Sequence, residues 1–338
     1  MKEIAFWRSW RFKTKDLIGL DWGHHSAKIV QIKKDPTGSL VLARLACQVN
    51  HSSLGDFVQA EQMSGFSVAC NLEEENLHIR RVEIPPMPES DLEQAIRWMV
   101  KDSVEGNLDQ YAVRSLLLDD QVTSGGKKQV YLAFVVSRKI LLDRMVSLRR
   151  LGFSPVSLEP SATALLASFD ASEEWEVGKK YVLLDIGGSQ SSFFVFSDQK
   201  LLYHHSLTGV SAEPPGGGKD ETLLKSFYGQ LAVDVQRAVD SFSVSFHREK
   251  VDKIFLCGGG ALLPRVDDYL TKNMGIETVL FDPFQRIQRS SHQDSLLAGE
   301  GGSPKGDSPK SDSPKGGSLG LRPIFATAVG LALMEGKR

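Results

Sequence analysis

Two aspartates stand in matching surroundings. Asp185 closes an apolar run within Tyr181–Phe196, YVLLDIGGSQSSFFVF, and Asp21 closes another within Leu17–Ile32, LIGLDWGHHSAKIVQI. In each case a glycine, Gly187 or Gly23, lies two residues on, and small or hydroxyl residues lead into the next apolar run. A carboxylate at the end of a buried strand can orient a hydrated divalent cation, and turn amides not spent on strand pairing form a nest for an anion. One Asp-x-Gly is ordinary hairpin punctuation. Two distant copies suggest related halves facing a shared cleft. A third stretch, Ile254–Leu263, reads IFLCGGGALL: an apolar strand runs into Gly258, Gly259 and Gly260 and then a helix, so backbone there can approach a flat base or a ribose.

Further residues could join this chemistry. Ser26 and Lys28 follow the first turn, and His24 and His25 within it either donate to phosphate or crowd the loop. A metal role for the two histidines lacks further ligands at suitable spacing. Glu159 precedes Pro160, Ser161 and Ala162 at a helix start. Its carboxylate either enters the cleft to orient water toward a γ-phosphate or is a helix-start acid favoured by the macrodipole. Gly216-Gly217-Gly218-Lys219 is not a Walker loop, because Asp220 occupies the Ser/Thr position and the upstream glycine is absent.

The elements that must position these residues are legible in outline. Each aspartate needs a hairpin, and a third strand near Ser39 to Val49 extends the first one. Leu77–Ile84 reads as a strand, and Pro85, Pro86 and Pro88 then turn the chain. A helix over Asp91–Val104, strands at Ala112–Leu118 and Val130–Val136, a helix over Lys139–Leu151 ended by Gly152, and one more strand form a small α+β block from Pro85 to Leu158. Arg149 and Arg150 on its outer face are solvated or meet an acidic partner. Glu221–Phe246 has the apolar spacing of one long helix, a helix covers Leu262–Asn273, and Phe325–Glu335 is an apolar helix with a close-packing Gly330. Arg286–Gly320, with SPKGD, SPKSD and SPKGG in series, is too poor in apolar residues to order itself and is expected to be a disordered loop.

Bulk properties exclude several classes. A net charge of -2 over 338 residues gives no electrostatic case for nucleic acid. Cys47, Cys70 and Cys257 have neither CxxC spacing nor an even count, which fits reduced thiols in the cytoplasm. No apolar run reaches the roughly 20 residues that cross a bilayer, and no secretion signal is expected at the start. Residues 1–16 instead mix Phe6, Trp7, Trp10 and Phe12 with Arg8, Arg11, Lys13 and Lys15; such a tail either touches an anionic membrane or packs on a partner.

The order of parts resembles a known superfamily. With GLDWGHHSAKIVQI, IPPMPESDLEQAI, LRRLGFSPVSLEPSATALL, LLDIGGSQSS, FLCGGGALL and GLAL in series, the chain looks like the actin and sugar-kinase superfamily and, within it, the PilM family of type IV pilus assembly, itself similar to the division protein FtsA. The resemblance implies an α/β, two-lobed actin-like ATPase fold with a duplicated ribonuclease H-like core. Residues 17–84 and 321–338 would form the first lobe, 85–158 the inserted subdomain, 159–285 the second lobe and 286–320 the loop. It implies ATP in the cleft with magnesium at Asp21 and Asp185, phosphates near Gly23, His24, His25, Ser26, Lys28, Gly187, Gly188 and Ser189, and adenosine near Gly258, Gly259 and Gly260. The shortened Thr208–Lys219 stretch replaces family segments that contact adenosine, and losing two or three polar contacts at roughly 1 kcal/mol each weakens ATP by about one to two powers of ten. Turnover is then slow at most. The implied partner is the cytoplasmic tail of a PilN-like inner-membrane protein, with pilus motor ATPases and a homo-oligomer as further expectations, which puts the chain at the inner face of the inner membrane. An FtsA-like division protein and a small-molecule kinase are the alternatives.

Overall fold

The computed structural model describes residues 17–23, 26–48, 53–123, 126–188, 190–207, 220–246, 248–298 and 319–334. The first lobe begins with the apolar segments on either side of Asp21. Strand β1, Leu17–Trp22, pairs antiparallel with β2, Ala27–Lys34, which pairs antiparallel with β3, Leu40–Gln48. After helix α1, Leu54–Ala60, strand β4, Ser67–Leu72, returns parallel to β1. Side chains alternate across a strand. In β1, Ile18 and Leu20 join a buried cluster with Leu54 and Val58 of α1, which leaves Leu17, Gly19 and Asp21 for the opposite face.

The chain then leaves the lobe. Strand β5, His78–Ile84, helix α2, Glu89–Met99, the long hairpin β6, Tyr111–Thr123, and β7, Gly126–Ser137, and helix α3, Arg138–Arg150, form the α+β block around a sheet ordered β5-β7-β6. The third strand of this sheet, β5, is N-terminal to Pro85. Strand β8, Ser154–Pro160, pairs parallel with β4 and completes the first lobe's sheet, ordered β3-β2-β1-β4-β8. Helix α4, Ser161–Ser172, follows and is buried on nearly every side.

The second lobe repeats the pattern. Strands β9, Tyr181–Ile186, β10, Ser191–Ser197, and β11, Lys200–Leu207, run antiparallel. Helix α5, Glu221–Ser245, capped by Asp220, leads to β12, Lys253–Cys257, parallel to β9. Helix α6, Val266–Met274, then leads to β13, Glu277–Leu280, so this sheet is ordered β11-β10-β9-β12-β13. Three antiparallel strands followed by two parallel ones, in both lobes, is the duplicated ribonuclease H-like core of the actin fold. Alternation works here as in β1: Val182, Leu184 and Ile186 pack with α5 and α6, while Tyr181 and Leu183 face α4. Asp185 has the parity of the second set. Both aspartates therefore point between the lobes.

Two corrections concern the C-terminal third. Residues 286–298, expected inside a disordered loop, are ordered: Gln288 bonds the backbone of Leu40 and Leu42 at the edge of β3, and helix α7, Ser291–Leu297, starts with a Ser290–Gln293 capping box. Paired backbone and a cap supply what the low-complexity composition lacks. The Ser-Pro-Lys repeats themselves, residues 299–318, lie outside the described residues, as do residues 1–16 and 208–219. After Gly258 the chain forms only a short 3-10 turn, Gly259–Leu262, and α6 begins at Val266 beyond Pro264.

Helix α8, Ala326–Leu333, closes the structure against β1, β2 and α4. Glycine is required at its contact with α4, since a Cβ on Gly330 would lie 1.8 Å from the Ala164 carbonyl oxygen. Helix α4 in turn turns Phe169, which is fully buried, onto Tyr181, Phe196, Phe255 and Phe281 of the second lobe. Burying such a ring contributes roughly 1.5–3 kcal/mol, so α4 ties the two lobes together.

Candidate functional site

Between the lobes lies a cavity of about 400 Å³ with both hairpin turns on its wall. Asp21, Gly23, Ser26 and Lys28 line it from the first lobe, and Asp185, Gly187 and Gly188 from the second. Gly258 and Gly259 border it as well, whereas Gly260 is buried against Ile186 behind the wall. His24, His25 and Ser189 lie outside the described residues.

Strand register brings the charged groups together. Asp21 is directly opposite Lys28 in the β1–β2 pair, and Lys28 Nζ lies 3.2 Å from the Asp21 carboxylate. Burial pushes the Lys28 ammonium down, but the negative charges of Asp21 and Asp185 outweigh it and hold the group above its ordinary value. One lysine therefore answers two carboxylates on opposite lobes. Asp185 pairs across β9–β12 with Cys257, whose thiol burial raises well above its ordinary range; the neighbouring carboxylate raises it further.

Gly258 shows why a glycine run ends β12. Its φ is +79°, and a Cβ there would lie 2.3 Å from the Asp185 carboxylate and 2.6 Å from the Ile186 carbonyl oxygen. A side chain at this position would strain the backbone and displace the carboxylate. The Gly258 amide donates to the Pro323 carbonyl oxygen, joining β12 to the turn before α8.

Glu159 occupies a different place. It is 4% exposed on β8, opposite Asn71 of β4, and does not line the cavity, although Ser161 two residues on does. Burial raises its carboxyl to about 7 against the opposing pull of the Ser157 and Thr163 hydroxyls, and its Oε2 has no hydrogen-bond partner. Among the described residues no cation compensates it.

Several lining residues escape sequence reading. Asn71 and Glu73 follow the apolar core of β4. The Asn71 amide oxygen accepts from the Trp22 backbone N–H at 2.8 Å, and Glu73 pairs at 3.0 Å with Arg144 of α3, whose guanidinium lies over the Trp22 ring at 4.9 Å. The cavity rim is thus joined directly to the α+β block. Glu75, Gln190, Ser192, Leu262, Pro323, Ile324, Ala326 and Thr327 complete the wall. The detectable signal was polarity: Asn71 and Glu73 break an apolar strand, but their place depends on its parallel pairing with β1.

Comparison with solved structures identifies the arrangement. One described as a PilM–PilN type IV pilus biogenesis complex aligns with 95% of this chain and 99% of its own at 18% identity, with a TM-score of 0.76. The chain has the PilM-like actin fold. A family model described as type IV pilus assembly protein PilM matches residues 215–301, within the second lobe of this PilM-like chain and the segment after it. The ethanolamine utilization protein EutJ from Carboxydothermus hydrogenoformans aligns over 98% of this chain and 93% of its own at 12% identity and a TM-score of 0.45. The cytoplasmic domain of EpsL, an inner membrane component of the Vibrio cholerae type II secretion system, aligns over 77% and 94% at 13% identity and 0.46. No curated protein sequence matches the chain. Among the described residues no helix is long and apolar enough to cross a membrane, and no group of three or more His, Cys, Asp or Glu is arranged for a metal ion.

Proposed function

We propose that this chain is an assembly scaffold of a type IV pilus, or of a related type II secretion platform, that holds the cytoplasmic tail of a PilN-like inner-membrane protein and carries Mg-ATP in its interlobe cleft. The observation that carries the reading is the near whole-chain likeness to a PilM found together with PilN. The partner places the protein at the inner face of the inner membrane. Docking of motor ATPases and self-association belong to the same reading.

The residues present fit the nucleotide. The cavity is of ligand size, with glycine backbone from both lobes, one lysine, Asp21 and Asp185 on opposite sides, and Glu73 and Glu75 also on its wall. Asp21 and Asp185 would hold the magnesium ion. Gly23, Ser26, Lys28, Gly187 and Gly188 would receive the phosphates, and Gly258 with Gly259 the nucleoside. A bound magnesium ion supplies positive charge against the phosphate oxygens. The chain itself orients that charge: Lys28 holds Asp21 in register, and the bare backbone of Gly258 leaves Asp185 its place. Glu159 stands outside the cavity wall, so its carboxyl is not placed to orient water beside the phosphates, which supports binding with slow turnover at most.

A titration calorimeter tests the scaffold reading. A synthetic peptide of the PilN-like protein's cytoplasmic tail should bind saturably to the full chain. No heat with any such tail from the same genome would overturn the reading.

A further inference from the structure

Helix α3 carries a face that the scaffold reading leaves unused. Arg138, Lys139, Leu142, Val146, Arg149 and Arg150 are all exposed and recur at helical spacing, so they form one outward stripe about 18 Å long. The inward side is core, where Leu141 and Leu148 are buried with Leu54 and Val58 of α1. Leu142 is 49% exposed and Val146 40%. They stand one turn apart in the middle of the stripe, with two cations at each end. Asp143 is the single acid of the helix.

Local helix chemistry does not account for this pattern. Arg149 and Arg150 suit the negative end of the helix macrodipole, but Arg138 and Lys139 stand at its positive end, where cations are disfavoured and no acid accompanies them. Ion pairing does not account for it either. Among the described residues Arg144 is the one cation of the five on α3 in an ion pair, with Glu73 beside the cleft. The charges are those of arginine and lysine, which stay protonated near neutral pH. Strand register places a second basic feature at the same end of the lobe. Ser154, which opens β8 just after α3, is opposite Ser67 of β4, and Ser67 is opposite Leu17 of β1. At the usual strand spacing Leu17 lies roughly 10 Å from Ser154. Residues 1–16, outside the described residues, join the fold at Leu17 and carry Trp7 and Trp10 among Arg8, Arg11, Lys13 and Lys15.

We propose that the outer face of α3, together with residues 1–16, rests directly on a bilayer that contains anionic lipid. The arginines and lysines meet the lipid phosphates, Leu142 and Val146 sit against the acyl boundary, and the tryptophans take the headgroup depth that their amphipathic rings favour. A protein partner is typically anchored by a large side chain seated in a pocket. A convex helix with two short aliphatic side chains between separated cations instead fits a flat surface of diffuse negative charge. The proposal stands on this face and not on the pilus reading. Failure of a PilN-like tail to bind leaves it untouched.

The test is flotation of the full chain with lipid vesicles. Binding should saturate on phosphatidylcholine vesicles that contain about one-third phosphatidylglycerol, be absent on phosphatidylcholine alone, and be lost at roughly 0.5 M salt. Each cation near such a surface contributes about fivefold in affinity, so Arg149→Glu combined with Arg150→Glu should weaken binding about 25-fold or more. Leu142→Asp should weaken it about tenfold, and Trp7→Ala combined with Trp10→Ala should weaken it as well. The α3 positions are exposed, so the unfolding midpoint should hold in those variants. No flotation with anionic vesicles, equal flotation with neutral ones, or binding unchanged by either the α3 or the tryptophan variants would each overturn the proposal. Failure with vesicles alongside binding of a poly-glutamate peptide that Arg149→Glu and Arg150→Glu abolish would also overturn it, assigning the face to an acidic protein.

Discussion

Replacing Glu159 with glutamine should stabilise the protein, and only above mildly acidic pH. The carboxyl is buried with Oε2 unpartnered among the described residues, and burial raises it from 4.5 to about 7. A raised carboxyl binds a proton more tightly in the folded chain than in the unfolded one. Its contribution is therefore fully present below pH 4.5 and is lost as pH rises through about 7. At about 1.4 kcal/mol per unit, the full span corresponds to about 3–4 kcal/mol as an upper limit. Glutamine has nearly the same shape and no proton to lose. The assay is thermal unfolding of wild type and Glu159→Gln from pH 4.5 to 8.5, reading the difference between the two so that other titrating groups cancel. That difference should be constant at the acid end, rise in favour of the variant between pH 5 and 7.5, and level off, with a midpoint gap of several degrees. A gap that does not change with pH, or one favouring wild type at pH 8, would refute the reasoning and show that a cation or a hydrogen-bond donor compensates the carboxylate.

Other predictions follow from close contacts. Gly258→Ala should lower the unfolding midpoint by the equivalent of about 1–3 kcal/mol, since its Cβ meets the Asp185 carboxylate at a φ of +79°; nucleotide affinity should fall in the same variant. Gly330→Ala should cost about 1–3 kcal/mol in the same assay through the α8–α4 backbone contact while leaving the cleft side chains in place. Arg144→Ala removes both the Glu73 ion pair and the contact over Trp22, and about 1–2 kcal/mol should be lost. In a cycle with Glu73→Ala the double variant should lose less than the sum of the singles.

How much of this was legible in the sequence follows the range of each interaction. The two acid hairpins were readable because an aspartate between apolar runs and a glycine two residues on are local signals, and both turns do line one cavity. The glycine run after β12 was readable for the same reason, though only the structure separates Gly258 and Gly259, on the wall, from Gly260 behind it. Strand β4 and its Asn71 and Glu73 were missed, since their position is fixed by parallel pairing with β1 about fifty residues away in sequence. Strands β6 and β7 stay paired over Asp119–Thr123 and Gly126–Lys128, mostly polar residues that carry no strand periodicity and are held by their partner strand. Residues 286–298 were hidden by the composition of the repeats that follow, although Ser290 and Gln293 spell a capping box. Glu159 sits next to a cleft residue and turns away from the cavity, and sequence gives no means of distinguishing the two.

The proposed Mg-ATP site between the lobes depends on Asp21 and Asp185. Titration of Mg-ATP into the full chain and into Asp185→Ala, followed by calorimetry, tests it most directly. Saturable heat in the first and none in the second is the predicted result. No heat from the wild-type chain at millimolar Mg-ATP, or equal affinity in Asp185→Ala, would contradict it and leave a scaffold whose fold serves its surfaces alone.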